Sequence, residues 1–150
     1  MTEVAILIGL PGAGKTSFFQ ARLAATHVHV SKDVIGHGRD ASRRQLDEVR
    51  KALRAGRSAV VDNTNPTVAD RAPILALGRE MGARVVAYVL DTTPRESAAR
   101  NRSRVGKGRV PDVAVFVTSK RLQPPTAGEG FDAVYRVHAE GGDFVVVPAE

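Results

Sequence analysis

The 150-residue sequence contains no cysteine, which excludes disulfides, thiolate metal sites and cysteine nucleophiles. It also has no apolar run close to the roughly 20 residues that a membrane-spanning helix requires. The first residues, Met1 to Val4, lack the basic segment and the long apolar segment of a signal peptide. These absences predict a cytoplasmic protein that makes no membrane contact.

The composition is that of an ordinary globule, with 43% hydrophobic and 25% charged residues, and the length predicts one domain over residues 1–150. Lysine and arginine exceed the acidic residues, which gives a formal net charge of +6. An excess of positive charge favours a polyanionic partner, although here it is spread along the chain. The composition leaves the oligomeric state open.

Short apolar runs alternate with segments of helical period, a pattern typical of a mostly parallel sheet covered by helices on both faces. The fold class predicted is α/β: a three-layer α/β/α P-loop NTPase, kinase-like, with about five parallel strands. Strands are expected over 4–8, 28–30, 58–61, 84–90 and 133–137, with a terminal, edge-like strand over 144–147. Helices are expected over about 15–24, 41–55, 67–81, 94–104 and 112–122.

The segment Gly9–Thr16 has the pattern Gly-x-x-x-x-Gly-Lys-Thr between a predicted strand and a predicted helix, which is the context of a phosphate-binding loop. Three positions without side chains let the backbone approach phosphates closely: Gly9, Gly12 and Gly14. Lys15 is expected to reach the β- and γ-phosphates, and the Thr16 hydroxyl is expected to bind Mg²⁺. The pattern predicts binding of ATP or another nucleoside triphosphate.

Two aspartates follow predicted strands, at the edge of the sheet where ligands of open α/β folds bind. Asp33 comes after the second strand and Asp62 after the third. Either carboxylate could accept the proton of an acceptor hydroxyl or help to hold Mg²⁺, and an aspartate that closes an apolar strand favours Asp62 for the metal. Each also has a local alternative, because Asp33 could cap a helix and Asp62 could begin an Asx-turn. The pattern alone does not choose the base.

A basic, glycine-containing segment at about 100–111 is a candidate lid over the phosphates. A cationic segment there would stabilise the transferring phosphoryl group and exclude water. The alternative is a solvated helix end whose cations favour the C-terminus of the helix. The candidate lid arginines are Arg100, Arg102, Arg104 and Arg109. The four histidines have no metal-ligand spacing, and no role is assigned to them.

Several blocks of the sequence together resemble the 5′-kinase domain of the polynucleotide kinases, most closely that of the animal polynucleotide kinase 3′-phosphatases. The matching blocks are Gly9–Ser17, His29–Gly36, Val60–Pro66, Arg100–Arg104 and Lys120–Pro125 with Glu129-Gly130-Phe131. The Asp-Asn-Thr-Asn-Pro and Pro-Pro…Glu-Gly-Phe blocks are more specific as a pair than the phosphate loop. The resemblance covers the kinase part alone and implies no phosphatase activity.

The resemblance implies a role for each matching position. Asp33 falls at the general base, which decides between the two aspartates, and Arg104 falls at the lid arginine that contacts the transferring phosphate. The nucleotide side would comprise Gly9, Gly12, Ala13, Gly14, Lys15, Thr16, Ser17 and Arg121. The acceptor side would comprise Asp62, Asn63, Asn65 and Arg39. The phage enzyme of this family has an acceptor-site arginine where this sequence has Gly36, and Arg39 is the candidate replacement.

The function expected from the sequence is ATP-dependent phosphorylation of a 5′-hydroxyl end of DNA or RNA, with Mg²⁺ as cofactor. The partners expected are a nucleoside triphosphate and nucleic-acid 5′ ends. Two alternatives stay open: a kinase of a sugar, nucleoside or metabolite, and a nucleotide-dependent switch that is not a kinase. An open basic channel that ends at Asp33 would favour the first of the three, and a closed acceptor pocket the second.

Overall fold

The computed structural model describes residues 1–36, 38–103 and 110–149. Six strands form one sheet: β1 (Glu3–Ile8), β2 (His27–Val30), β3 (Ser58–Asp62), β4 (Arg84–Leu90), β5 (Ala133–Glu140) and β6 (Asp143–Pro148). The helices are α1 (Lys15–Phe18), α2 (Lys32–Ile35), α3 (Ala41–Arg54), α4 (Val68–Glu80), α5 (Pro94–Arg102) and α6 (Asp112–Arg121). Among the described helices, none is long and apolar enough to cross a membrane.

The strand order is β2-β3-β1-β4-β5-β6, and β1 to β5 run parallel. The α/β class and the parallel sheet predicted from the sequence are confirmed. The sixth strand is antiparallel to β5, to which it is joined by Gly141 and Gly142. Both glycines have positive φ, the backbone that a two-residue hairpin turn with the right twist requires.

The central strand β1 is buried on both faces. Its alternating side chains divide the core, because successive residues of a strand point to opposite faces. Val4, Ile6 and Ile8 pack with residues of α3 and α4 on one face. Ala5 and Leu7 pack on the other face, against α1 and the π-helical turn Phe19–Leu23 that continues it. The sequence predicts one α-helix over 15–24, and the structure differs in this π-helical continuation.

An aromatic cluster attaches α1 to the β5–β6 side of the sheet. Phe18 lies 5.2 Å from Tyr88 and 5.5 Å from Phe144, and Tyr88 stacks on Tyr135 at 5.3 Å between ring centroids. Burial, with the nearby carboxylate of Glu3 as a smaller cause, raises the pKa of Tyr88 to about 12. The phenol therefore stays neutral and serves as packing. The cluster fixes the helix that begins at the phosphate loop.

The structure of the short helix α2 contradicts the alternative in which Asp33 caps a helix. Ser31 is the N-cap of this helix, and its hydroxyl accepts a hydrogen bond from the Asp33 amide at 3.1 Å. Asp33 therefore lies inside the first turn and does not cap a helix. The serine takes the capping role, and Asp33 is an exposed residue of this helix.

The contact of α4 with the sheet depends on Gly78. A Cβ placed at this residue would lie 2.5 Å from Val85 Cγ2. We expect Gly78→Ala to destabilise the protein by about 1–3 kcal/mol in urea denaturation, because overpacking exceeds the gain in helix propensity. Gly128→Ala is the matched control, since the nearest atom to a Cβ there is Thr126 Oγ1 at 3.5 Å. A Gly78→Ala variant as stable as the wild type would contradict this packing.

Candidate active site

The site lies where β1 and β3 end side by side. Their parallel register pairs Leu7 with Asp62, so the phosphate loop that follows β1 begins next to the end of β3. The Gly9 amide donates to the Thr64 carbonyl at 3.1 Å and joins the two connections. Two separate parts of the sequence are thereby held at one edge of the sheet, as the α/β pattern predicts.

The phosphate loop is closely packed from behind. Gly12 and Gly14 have φ values of 84° and 97°, which side chains disfavour. A Cβ on Gly12 would lie 2.2 Å from the Ser97 carbonyl oxygen, so the loop rests directly on α5. Ala13 is buried in the core, and Ser17 is exposed in the first turn of α1. Glycine at position 12 is therefore required by packing as well as by backbone conformation.

Lys15 folds back over the loop from which it comes. Its Nζ donates to the carbonyls of Gly9 at 3.2 Å and Leu10 at 2.9 Å, and the residue is only 8% exposed. A lysine held in this position presents its charge to the space enclosed by the loop. That is the place of a bound phosphate in a P-loop.

Thr16, Asp62 and His29 form a hydrogen-bonded chain that crosses three elements. The Thr16 hydroxyl donates to Asp62 Oδ2 at 2.8 Å, and His29 Nε2 lies 2.8 Å from the same oxygen. The His29 ring also stacks on Phe19, at 4.3 Å between centroids. A hydroxyl and a buried carboxylate side by side provide oxygen ligands of the kind that Mg²⁺ prefers. Thr16 would hold the ion directly, with Asp62 behind it.

Asn63 connects the end of β3 to the acceptor side. Its Oδ1 accepts from the Lys32 amide at 3.0 Å, and its Nδ2 donates to Gln45 Oε1 on α3. Its side chain is thus turned to the start of α2, one residue from Asp33. This geometry makes Asn63 a support for the carboxylate-bearing helix.

A cleft of about 740 Å³ lies above these residues. The proposed donor residues and the proposed base line the same space: Lys15, Thr16, Asp62 and Asp33. Lys32, the neighbour of Asp33 in the chain, and Arg43 also line it. Arg121 lines it together with Asp70, to which it is paired at 3.9 Å. An acceptor bound in the cleft would therefore reach both the carboxylate and the phosphate loop.

The predicted lid residues fall partly outside the described residues. Arg104 and Arg109 lie there, so their roles remain predictions. Arg100 donates to the Ala13 carbonyl at 3.4 Å and lies against Gly14. Arg102 is exposed and forms an ion pair with Asp112 at 3.0 Å. Of the two candidate lid arginines that the structure describes, Arg100 is the one that contacts the phosphate loop.

Two residues predicted for the acceptor side differ in their placement: Asn65 lines the cleft but bonds to the main chain, and Arg39 does not line it. Asn65 is 5% exposed, and its amide donates to the Leu7 carbonyl at 2.8 Å, so its hydrogen bonding serves the main chain. Arg39 is exposed and is absent from the residues that line the cleft. Among the described residues, the cation found next to Gly36 is Arg44, whose Nη2 would lie 3.5 Å from a Cβ at that glycine.

Sequence reasoning missed three residues that organise the site: His29, Arg71 and Asn101. The side chain of Asn101 is fully buried and pairs with both main-chain groups of Val110, at 2.6 and 2.9 Å. His29 lies near Asp62 because β2 is next to β3 in the sheet, an order that the sequence pattern does not give. Arg71 lies in a helix of otherwise ordinary pattern, and nothing in the sequence distinguishes it.

Comparison with known proteins identifies the family and the fold. A family model described as an AAA domain matches residues 4–125. A putative bifunctional polynucleotide phosphatase/kinase of Acanthamoeba polyphaga mimivirus is 32% identical over 142 residues, which cover 90% of this chain and 33% of the relative. The chain thus spans about a third of the length of that relative.

Solved structures with low sequence identity share the fold. A fungal RNA kinase superposes with a TM-score of 0.68 at 18% identity, over 95% of this chain and 40% of that chain. A sugar kinase from Janibacter superposes with a TM-score of 0.69 at 16% identity, over 92% of this chain and 86% of that chain. The chain therefore belongs to the AAA-domain family matched over residues 4–125, and it has the fold of the P-loop kinases.

Proposed function

We propose that this protein transfers the γ-phosphate of ATP, or of another nucleoside triphosphate, to the 5′-hydroxyl end of DNA or RNA. The observation that carries the proposal is that Lys15, Thr16 and Asp33 line one cleft. The residues that would bind the phosphate donor and the residue that would accept the proton thus line the space in which the acceptor would bind. The polynucleotide phosphatase/kinase relative supports the choice of acceptor.

In the proposed reaction, Asp33 orients the 5′-hydroxyl and accepts its proton as the oxygen attacks the γ-phosphorus. A new P–O bond forms while the bond from the γ-phosphorus to the bridging oxygen breaks, and the nucleoside diphosphate leaves. Lys15 holds the β- and γ-oxygens throughout, and Arg104 covers the transferring group. Mg²⁺ bound through Thr16 would reduce the charge on the phosphates. Most of the catalysis is then positioning and charge stabilisation.

The charge around Asp33 favours a polyanionic acceptor. Lys32, which precedes Asp33 in the chain, and Arg43 line the cleft, and Arg44 lies close to Gly36. Phosphates of a nucleic-acid strand next to its 5′ end would find these cations within reach. The positive net charge of the chain also favours a polyanionic acceptor.

A small-molecule kinase is the second candidate, because part of the cleft has an apolar wall. Leu46, Pro73 and Ile74 are among the residues that line it. A cleft of about 740 Å³ also lies within the usual range of small-ligand sites, roughly 300–1,000 Å³. A sugar or nucleoside could therefore be held against that wall.

The decisive experiment is phosphate transfer from γ-labelled ATP. We expect label on DNA or RNA oligonucleotides that end in a 5′-hydroxyl and none on the same oligonucleotides carrying a 5′-phosphate. Sugars and nucleosides are tested in parallel. Label on one of these alone would favour the small-molecule kinase, and nucleotide hydrolysis without transfer to any acceptor would favour a switch.

The role of Asp33 as base predicts a selective defect in Asp33→Asn. We expect the transfer rate to fall by about 10²–10⁴-fold, the usual size of a general acid–base contribution, while ATP binding is retained in titration calorimetry. Asp47→Asn is the matched control, because Asp47 is exposed on α3 and pairs with Arg50 at 3.1 Å, away from the cleft. Transfer by Asp33→Asn at the wild-type rate would remove Asp33 from the mechanism.

The lid proposal concerns Arg104. We expect Arg104→Ala to lower kcat by roughly 10³-fold, as for an arginine that stabilises the transition state of phosphoryl transfer. Arg102→Ala is the comparison, since that side chain pairs with Asp112 and is exposed. Steady-state kinetics on both variants decide the assignment. A larger loss in Arg102→Ala than in Arg104→Ala would transfer the role to Arg102.

A further inference from the structure

Arg71 of α4 is fully buried and charged, and its guanidinium bonds to three separate segments of the chain. Its guanidinium makes a two-pronged ion pair with Glu129, with both N–O distances at 2.9 Å. The same group donates to the Asn65 carbonyl at 2.9 Å and to the Gln123 carbonyl at 3.0 Å. Arginine suits such a position because its donors are fixed in one plane.

The segment that Arg71 holds is the β3 loop, residues 62–66. This loop touches the donor side of the site through Asp62, which bonds Thr16, and through Thr64, whose carbonyl accepts from the Gly9 amide. It touches the acceptor side through Asn63, which accepts from the Lys32 amide. The β3 loop therefore bridges the two halves of the site.

The conformation of the β3 loop needs outside support. Asn65 has a φ of 44°, in the left-handed region, which is uncommon for residues with a side chain although asparagine adopts it more often than most. Such a residue keeps its conformation only where neighbouring groups determine it. Here its side chain is held by the Leu7 carbonyl at 2.8 Å and its own carbonyl is held by Arg71 at 2.9 Å.

A third contact ties the loop to the segment after α6. The Gln123 amide donates to the Pro66 carbonyl at 2.7 Å, and Gln123 Oε1 accepts from the Val68 amide at 2.8 Å. Arg71 binds the Gln123 carbonyl as well. The end of the β3 loop is thus clamped between this segment and α4.

We infer that Arg71 is a positioning residue: by fixing the β3 loop, it sets the distance between the phosphate loop and the helix that carries Asp33. The inference rests on the proposed phosphoryl transfer. Arg71 is completely buried and acts through Asn65, so it works without touching substrate. Small displacements of reacting groups lower rates strongly, by as much as about 10²-fold for roughly 1 Å.

A purely structural ion pair is the alternative, and a conservative variant separates the two. Arg71→Lys keeps the charge but cannot reproduce the planar set of donors to Glu129, Asn65 and Gln123. A second variant, Arg71→Met with Glu129→Met, removes both charges together, which leaves no unpaired charge in the interior. Leu77→Ala is the control, because it removes core packing from the same helix and Leu77 belongs to the core cluster.

The first measurement is hydrogen exchange at two backbone amides that donate to the β3 loop, those of Gly9 and Lys32. We expect both Arg71 variants to speed exchange at these amides by about tenfold or more over the wild type, as a local loss of protection. Amides in the middle of β1 should change much less. Leu77→Ala should leave the Gly9 and Lys32 amides near the wild-type rates.

The second measurement is the split between kcat and KM in the phosphate-transfer assay. We expect kcat of Arg71→Lys to fall by about 10²-fold with KM for ATP within about twofold of the wild type. Leu77→Ala, assayed well below its melting temperature, should keep the wild-type kcat. Unchanged kcat in Arg71→Lys, or an equal loss in Leu77→Ala, would overturn the positioning role.

Failure of the proposed function gives a different result. If the wild type labels no acceptor, the proposed function fails and the exchange measurement alone decides the inference. Faster exchange at Gly9 and Lys32 in Arg71→Lys then supports the control of the loop by Arg71. Protection equal to that of the wild type at both amides overturns it.

Discussion

Leu7 of β1 pairs with Asp62 of β3, and this parallel register brings the phosphate loop and the β3 loop together. It places the start of the phosphate loop against the β3 loop, so that Thr16 reaches Asp62 and the Gly9 amide reaches Thr64. A shift by one residue would turn the side chains of β3 to the opposite face of the sheet. The Asp62 side chain would then point away from Thr16, and the hydrogen bond between them could not form.

Much of the fold follows from the sequence because its signals are local. Apolar runs mark the buried parallel strands, and the glycines, lysine and threonine of the phosphate loop lie next to one another in the chain. The hydrogen bond between Thr16 and Asp62 joins residues 46 positions apart, and the bond between Arg71 and Glu129 joins residues 58 apart. Such contacts depend on the order of strands in the sheet, which periodicity does not encode.

The acceptor end of the site is harder to predict for a physical reason. Phosphate binding uses backbone groups and one lysine, and it is the same whatever the acceptor. Acceptor choice depends on side chains from α2, α3 and α4, which line the cleft through tertiary packing. The same fold occurs in an RNA kinase and in a sugar kinase. A resemblance carried by short blocks, such as Asp62–Pro66, therefore contributes information about the acceptor that the fold alone does not.

The pairing of the Asn101 side chain with the main chain of Val110 has a consequence for variation in this protein. It imitates one rung of a β-ladder and fixes both ends of the segment between these residues. The entropy of closing a loop grows slowly with length, by about 0.6 kcal/mol for each doubling. A change in the number of residues between positions 102 and 109 would therefore alter the entropy of closure only slightly, because the pairing of Asn101 with Val110 holds both ends.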